Sequence, residues 1–145
     1  MRTLKILIIN GPNLNLLGKR DELQYGSMTL DDIEKIISHS YPEIDFEFFQ
    51  SNLEGDLVTK IQEASSFFDG IIINPGGYSH TSVAIRDALE LCSIPKIEVH
   101  LSNISTRENF RNVMITASKC NGYISGFKEK GYLAAVYLIK MILGK

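Results

Sequence analysis

The sequence lacks the features of several common protein classes. None of its apolar runs is long enough to span a bilayer. The net charge of −2 provides no basic field that would attract nucleic acid or an anionic membrane surface. Of its two cysteines, Cys92 and Cys120, neither belongs to a metal or redox spacing, so we interpret both as buried thiols. We therefore expect a cytoplasmic protein that binds neither nucleic acid nor membranes.

Signatures of cofactor and metal chemistry are missing as well. The histidine, cysteine and acidic residues do not follow the spacings of zinc sites, and no glycine fingerprint for a dinucleotide is present. No serine or cysteine stands in a nucleophile elbow. We therefore expect chemistry without a metal or cofactor, for which the polar loops described below offer amide, phenol, imidazole, guanidinium and hydroxyl groups.

Apolar runs alternate with segments of helical periodicity along all 145 residues. The predicted strands are Lys5–Asn10, Asp45–Gln50, Gly70–Asn74, Lys96–His100 and Gly122–Ser125. The predicted helices are Leu30–Ser40, Asp56–Phe67, Ser82–Cys92 and Tyr132–Leu143. Thr29 and Asp32 have the spacing of a capping box at the first helix. This alternation predicts an α/β fold, one domain of residues 1–145 with a parallel sheet covered by helices on both faces.

The first predicted strand is followed by a polar loop, residues 10–26, that is long for a strand-to-helix connection. Long loops in compact domains are usually functional or disordered. Asn13 stands directly beyond the strand, although Asn13 and Asn15 can also be turn residues that bond their own backbone. Composition alone would make Arg20 a solvated charge and Tyr25 a packed aromatic. The loop is not a phosphate-binding P-loop, which needs Gly-Lys-Ser/Thr at its end.

The loop after the third predicted strand, residues 74–82, joins two glycines to a run of hydroxyl residues. Gly76 and Gly77 allow the backbone to approach a ligand closely. The serine and threonine that follow begin a helix, whose N-terminus favours anions. His80 is a candidate ligand-binding group, and a hydrogen-bonded structural histidine is the alternative.

Glu98 and His100 lie on the same side of the fourth predicted strand, about 6–7 Å apart along it. A carboxylate beside an imidazole fixes its tautomer, and such a pair can act as a general acid. A purely structural hydrogen bond at the strand end is the alternative. Arg107 and Arg111, four residues apart, are predicted to share one helical turn and to converge on a carboxylate or hydroxyls; solvated surface arginines would show the same spacing.

Four ordered motifs resemble the type II 3-dehydroquinate dehydratases, and the resemblance covers essentially the whole chain. The motifs are Asn10-Gly11-Pro12-Asn13-Leu14-Asn15-Leu16-Leu17-Gly18 with Arg20 and Tyr25-Gly26, then Asn74-Pro75-Gly76-Gly77-Tyr78 with His80-Thr81-Ser82, then Glu98-Val99-His100-Leu101-Ser102-Asn103, and Arg107 with Phe110-Arg111. The resemblance implies a flavodoxin-like fold with strand order 2-1-3-4-5, no cofactor, and a homododecamer built as four trimers. It also implies the dehydration of 3-dehydroquinate to 3-dehydroshikimate, in the shikimate or quinate pathway.

The same resemblance implies a catalytic role for five residues. The reaction would be an anti elimination through an enolate, with Tyr25 as the base that removes a C2 proton. Arg20 would lie close enough to favour the phenolate of Tyr25, and Asn13 would hold a water that steadies the enolate. His100 would protonate the departing C1 hydroxyl, and Glu98 would orient His100.

Substrate binding is implied for a second group of residues. These are Asn74, His80, Leu101, Ser102 and Arg111, with Leu101 acting through its backbone. Asp87 would reach into the site of a neighbouring subunit, and Arg107 would support the site and its lid. Two positions depart from the family pattern: Glu22 replaces a frequent proline and Lys128 a frequent glycine. Loss of the proline predicts a more mobile Arg20–Tyr25 segment.

Other functions compete with this interpretation. A flavodoxin-like FMN binder should have Ser, Thr and Gly after the first strand, and a receiver domain should have paired acidic residues there; the segment after Asn10 offers neither. Another sugar-acid lyase or isomerase on the same sheet is separated from the favoured activity only by the resemblance.

Overall fold

Five apolar segments form the strands of one parallel sheet in the computed structural model, which describes residues 2–145. The strands are β1 (Lys5–Asn10), β2 (Asp45–Gln50), β3 (Gly70–Asn74), β4 (Lys96–His100) and β5 (Gly122–Ser125). Their order is β2-β1-β3-β4-β5 with every pair parallel. This is the flavodoxin-like order, so the predicted fold class is confirmed, and the strand boundaries agree with the prediction.

Five α-helices connect the strands. They are α1 (Glu22–Tyr25), α2 (Leu30–Ser40), α3 (Glu54–Phe67), α4 (Val83–Leu91) and α5 (Lys130–Ile142). The predicted bounds of α2 are confirmed, and those of the other predicted helices differ by one or two residues. At α2 the predicted capping box is present: the Thr29 side chain accepts from the Asp32 N–H, and the Asp32 side chain accepts from the Thr29 N–H.

The central strands β1, β3 and β4 are buried because helices cover both faces of the sheet, and successive side chains of each strand point to opposite faces. From β1, Ile6 and Ile8 pack in the cluster that contains α2 and α5. Leu7 and Ile9 pack with α3 and α4 on the other face. All four side chains are fully buried, and burying each contributes about 1.5–3 kcal/mol. The result is a rigid platform with loops at its edges.

The segment after β4 differs from the prediction. Arg107 and Arg111 do not share one helical turn, because Ile104–Thr106 and Asn109–Asn112 form two separate 3-10 turns with Arg107 in extended conformation between them. The Asn103 side chain accepts from the Ser105 N–H, and the Thr106 hydroxyl donates to the Asn103 carbonyl. Such short side-chain bonds to the backbone compete with a continuous helix.

The two cysteines lie at different depths. Cys92 is buried and Cys120 is partly buried, so the prediction of two buried thiols is correct only for Cys92. Desolvation raises the pKa of the Cys120 thiol to about 12.

Among residues 2–145, no helix has the length and apolarity needed to cross a membrane.

Candidate active site

The carboxyl ends of β1, β3 and β4 place three polar loops around one small cleft. Asn10 and Asn74 are paired in register at the ends of β1 and β3, so the loops that follow them start side by side. The cleft has a volume of about 110 Å³. Its walls are formed by Pro12, Asn13, Leu14, Arg20, Tyr25, Asn74, Gly76, Gly77, His100, Leu101, Ser102, Ile104, Arg107 and Arg111. Ligands bind at this edge of the sheet in open α/β folds.

Most residues singled out in the sequence line this cleft, and three do not. Glu98 lies beneath it, bonded to His100. His80 lies behind it, with its ring stacked on that of His100 at a centroid separation of 6.3 Å. Asp87 stands on α4 outside the lining, exposed and paired with Arg86 at 2.9 Å.

Two glycines allow the first and second loops to pack against each other. A Cβ atom on Gly11 would come within 2.5 Å of the Pro75 carbonyl oxygen, which is too close for any side chain. Gly76 has a φ of +63°, in the left-handed region that favours glycine, and its Cα faces the Pro12 carbonyl. The close approach fixes the first loop against the end of β3.

Asn13 also has a left-handed backbone, with φ at 70°. Its N–H donates to Oδ1 of Asn52 at 3.0 Å, and the same oxygen accepts from Nε2 of Gln50 at 3.2 Å. Asparagine tolerates this conformation better than most residues. The side chain of Asn13 makes no capping bond to the short 3-10 turn that begins at Leu14, so it is free to serve the cleft.

Two guanidinium groups lie near the ring of Tyr25. The guanidinium carbon of Arg20 lies 3.8 Å from the centre of its ring, and that of Arg107 lies 5.1 Å away. Both distances are within cation–π range. The predicted proximity of Arg20 to Tyr25 is confirmed. The segment between them is partly ordered as α1, whose N-cap Asp21 accepts from the Leu23 N–H at 3.0 Å.

His100 is held from below by Glu98. Nε2 of His100 lies 2.6 Å from Oε2 of Glu98. The same oxygen accepts from the Ser79 hydroxyl at 2.7 Å, and Oε1 accepts from the Thr116 hydroxyl at 2.6 Å. Since Nε2 is occupied, Nδ1 is the nitrogen left for a ligand. Glu98, Ser79 and Thr116 have no exposed surface.

His80 is oriented by one backbone hydrogen bond. Its Nδ1–H donates to the Val113 carbonyl at 2.8 Å, while its Nε2 is buried without a partner among the described residues. Burial lowers the pKa of His80, and the nearby His100 and Arg111 lower it further. The hydrogen bond to the Val113 carbonyl raises this pKa but does not outweigh them. The neutral ring therefore presents a lone pair on Nε2, which can accept from a hydroxyl.

Asn74 is fixed by a buried network at the end of β3. Its Oδ1 accepts from the Gly76 N–H at 3.1 Å, and its Nδ2 donates to the Tyr132 hydroxyl at 3.3 Å. Tyr132 in turn donates to Oδ1 of Asn10 at 2.5 Å. Complete burial raises the pKa of Tyr132 well above its usual value, so this hydroxyl remains neutral. One amide hydrogen of Asn74 is left for the cleft.

Ser102 and the two arginines form the far wall. Nη1 of Arg107 donates to the Ser102 hydroxyl at 3.1 Å. Nε of Arg111 donates to Oε1 of Glu108 at 3.2 Å. Arg107 is thus directed into the site and Arg111 is anchored at its rim, although they belong to different turns. Together they give the wall the positive charge that an anionic ligand requires.

Sequence reasoning missed several residues that hold the site in place. Ser79 and Thr116 bind Glu98, Tyr132 binds Asn74, and Asn52 binds Asn13. Ser79 was detectable as a member of the second loop. Tyr132 belongs to the pair Gly131-Tyr132, which also fits the resemblance, although its contact with Asn74 was not predicted. Thr116 and Asn52 lie outside the polar motifs, and nothing in their local sequence distinguishes them.

Comparison with known proteins gives a consistent family assignment. The family model described as "Dehydroquinase class II" matches residues 4–140. A protein named 3-dehydroquinate dehydratase from Fusobacterium nucleatum subsp. nucleatum is 55% identical over 144 residues, covering 94% of this chain and 97% of its own. The crystal structure of the type II dehydroquinase from Butyrivibrio crossotus DSM 2876 superposes with a TM-score of 0.93 at 47% identity, covering 95% of this chain and 98% of that one. The type II dehydroquinase from Propionibacterium acnes gives 0.89 at 37% identity, with coverages of 96% and 99%. The chain therefore belongs to the class II dehydroquinase family.

Proposed function

We propose that this protein is a 3-dehydroquinate dehydratase, which removes water from 3-dehydroquinate to form 3-dehydroshikimate in the shikimate or quinate pathway. The observation that carries the proposal is one small cleft that combines a phenol beside a guanidinium, Tyr25 and Arg20, with a carboxylate-bound imidazole, His100. Base and acid are the two groups that this elimination requires. Relatives that match nearly the whole chain are named 3-dehydroquinate dehydratase, which supports the same activity.

The first step is removal of a proton beside the ketone. Tyr25, as phenolate, takes the proton from C2, and the electrons of the C–H bond move onto the carbonyl oxygen to give an enolate. The guanidinium of Arg20 lies 3.8 Å from the ring centre, so its positive charge adjoins the phenolate that takes the proton. Asn13 holds a water that donates to the enolate oxygen, the kind of preplaced donor that lowers such a barrier.

The second step expels the C1 hydroxyl. The enolate electrons re-form the carbonyl and the C1–C2 double bond, the C1–O bond breaks, and Nδ1 of His100 supplies the proton that makes water the leaving group. Glu98 holds Nε2 at 2.6 Å and stabilises the positive charge of the protonated ring. Base and acid act on opposite faces of the substrate, so the elimination is anti.

The remaining wall groups bind the substrate. Ser102 and the backbone of Leu101 hold the carboxylate, next to the positive charge of Arg107. Arg111 and Asn74 bind hydroxyls, and Nε2 of His80 accepts a hydrogen bond from one. The assembly is a homo-oligomer, a dodecamer of four trimers, in which Asp87 of each chain completes a neighbour's site.

A direct assay tests the proposal. Purified protein mixed with 3-dehydroquinate should produce the ultraviolet absorbance of a conjugated enone. The much slower absorbance change of an active-site variant such as His100→Ala serves as the comparison. Absence of the enone signal from wild-type protein would contradict the activity and favour another sugar-acid lyase or isomerase.

A Schiff base between a lysine and the ketone is the competing mechanism for the same product. Lys19 is the lysine nearest in sequence to Arg20, and it is exposed and absent from the cleft wall. Such a lysine has nothing apolar around it that would activate its amine. Borohydride added together with substrate should therefore leave activity intact, whereas irreversible loss would overturn the tyrosine-base mechanism.

A further inference from the structure

Glu98 is a fully buried carboxylate with hydrogen-bond donors on both oxygens. The donors come from three different elements: His100 on β4, Ser79 in the 3-10 turn after β3, and Thr116 in the segment before β5. Both hydroxyl residues are themselves fully buried, and neither lines the cleft. A buried carboxylate needs such donors, because leaving one oxygen unpaired carries the full cost of desolvation.

We propose that Thr116 and Ser79 are positioning residues that keep Glu98 ionised and thereby keep the transferable proton on His100. The inference rests on the proposed dehydratase function for its kinetic consequence. Its structural consequence, the location of a proton within a buried pair, can be measured without any substrate.

One proton can reside on either Glu98 or His100. Glu98 and His100 can share it as a carboxylate with an imidazolium, or as a carboxylic acid with a neutral ring. Nδ1 carries a hydrogen in both arrangements, but only the imidazolium of the first is acidic enough to transfer that proton to a ligand in the cleft. Hydroxyl donors stabilise the carboxylate and not the acid, so Ser79 and Thr116 favour the first arrangement.

The geometry gives Thr116 the more direct role. Its hydroxyl is 2.6 Å from Oε1 of Glu98 and 3.3 Å from the Ser79 oxygen, and its single hydrogen can serve only one acceptor. The shorter contact is the stronger hydrogen bond. Ser79 uses its own hydrogen for Oε2 at 2.7 Å. Thr116 is therefore the protein donor to Oε1, the oxygen that His100 does not reach.

The first experiment compares two substitutions of similar size. Thr116→Val removes the hydroxyl and keeps the branched shape, and Thr116→Ser keeps the hydroxyl. Loss of one charge-assisted hydrogen bond changes an equilibrium or rate constant by about tenfold. In Thr116→Val, kcat should therefore fall about tenfold, and KM should stay within twofold of wild type. Thr116→Ser should remain near wild type. Ser118→Ala is the matched control, since the hydroxyl of this exposed serine donates to the Ile115 carbonyl and not to Glu98.

The decisive readout is the ring of His100 itself. In 15N-histidine spectra at neutral pH without substrate, Thr116→Val should shift the His100 ring nitrogens toward the values of a neutral imidazole, and Thr116→Ser should not. Unchanged ring signals in a folded Thr116→Val protein would overturn the proposal, whatever its kcat. If Thr116→Val does not fold, Ser79→Ala tests the same prediction through Oε2.

A double-mutant cycle tests whether Thr116 acts through Glu98. In a Glu98→Gln background, Thr116→Val should cause little further loss of kcat, because the carboxylate that it stabilises is gone. Multiplicative losses would show that Thr116 acts elsewhere and would contradict the proposal. A wild-type protein without dehydratase activity would instead defeat the proposed function, and the ring-nitrogen comparison would still decide the inference.

Discussion

Hydrogen bonds determine which ring nitrogen His100 and His80 can each offer to a ligand. His100 has one ring nitrogen bonded to Glu98, which leaves Nδ1 as its only group for a ligand. His80 has the opposite arrangement, with Nδ1 bonded to a carbonyl and Nε2 without a partner in residues 2–145. Two histidines stacked 6.3 Å apart therefore offer different groups to the same region. We infer that His100 acts as a proton donor and His80 as a hydrogen-bond acceptor.

Removing the proposed acid should slow the chemical step. His100→Ala should lower kcat by about 10²–10⁴, the usual contribution of a general acid. Glu98→Gln should cost less, since it changes the orientation and proton affinity of the ring and leaves the donor in place. Steady-state kinetics with 3-dehydroquinate measures both. A His100→Ala enzyme with altered KM and normal kcat would show that the residue only binds substrate.

Substitution of Tyr25 tests whether this residue is a catalytic base or only a packed aromatic. Tyr25→Phe preserves the ring contacts with Arg20 and Arg107 and removes only the hydroxyl. If the phenolate is the base, kcat should fall by at least about 10²-fold, with KM little changed because other residues bind the substrate. Tyr123→Phe, at an exposed tyrosine on β5, is the control.

Arg20→Ala should act in the same direction as Tyr25→Phe. Both changes affect one proton transfer, so the double variant should lose much less than the product of the separate losses. Near-full activity in Tyr25→Phe would remove the basis of the proposed mechanism.

The lowered pKa of His80 predicts a pH dependence of stability. In the unfolded chain the imidazole gains a proton as pH falls through about 6.5, whereas in the folded protein burial opposes protonation. The unfolded state therefore binds more protons, and this contribution to the free energy of unfolding is lost as pH falls through 6.5 toward the folded pKa. Carboxylates with lowered pKa, such as Asp69, act below this range.

Urea unfolding at pH 7.5 and 5.5 measures the effect. Wild-type protein should be less stable at the lower pH, and His80→Asn should reduce the difference. His39→Asn, on the exposed side of α2, serves as the control. An equal decline in wild type and His80→Asn would show that another group is responsible.

At the scale of elements, the connection between β5 and α5 contains a strained position. Lys128 has a φ of +51°, where side chains are disfavoured by about 1–2 kcal/mol. The flexibility of glycine in the unfolded chain offsets about 0.5–1 kcal/mol of any gain. Lys128→Gly should therefore raise the free energy of unfolding by about 1 kcal/mol in urea denaturation. Lys130→Gly, at the start of α5, should lower it, and a loss of stability in Lys128→Gly would contradict the strain argument.

The regular elements were predictable because their periodicity is strong. β1 and β3 are continuous apolar runs buried on both faces, and α2 carries its own capping box. The short helix α1 was not predicted, because four residues give no periodic signal. It depends on one local bond, from the Leu23 N–H to the Asp21 side chain. The expectation of a more mobile segment there stays a prediction.

The site was predictable to the extent that its residues lie next to strand ends. Asn13 follows β1, Asn74 ends β3 and His100 ends β4, and the fold class alone brings such positions together. Thr116 is different: it meets Glu98 only because the chain returns beside β4 on its way to β5. That contact depends on tertiary packing, which local sequence does not encode.

At the scale of the whole molecule, large apolar side chains remain exposed on several elements. The largest group lies on β5, the following turn and α5, and consists of Tyr123, Phe127, Tyr137, Leu138, Met141 and Ile142. Isolated exposed apolar residues are normal, but groups of them usually mark contact surfaces. Such a surface fits the proposed homo-oligomer. It also fits the proposed role of Asp87 in a neighbouring subunit, since Asp87 stands outside the cleft of its own chain.

The proposed assembly predicts a large particle with shared sites. Light scattering of active enzyme should give a mass near that of twelve 16.3 kDa chains, and active protein of single-chain mass would refute it. If Asp87 completes a neighbour's site, Asp87→Ala should lower activity without changing that mass. A mixed assembly of Asp87→Ala and His100→Ala chains should then regain activity, because some sites combine an intact His100 with an intact Asp87 from the adjacent chain. Lack of recovery in verified mixed oligomers would show that Asp87 does not act between subunits.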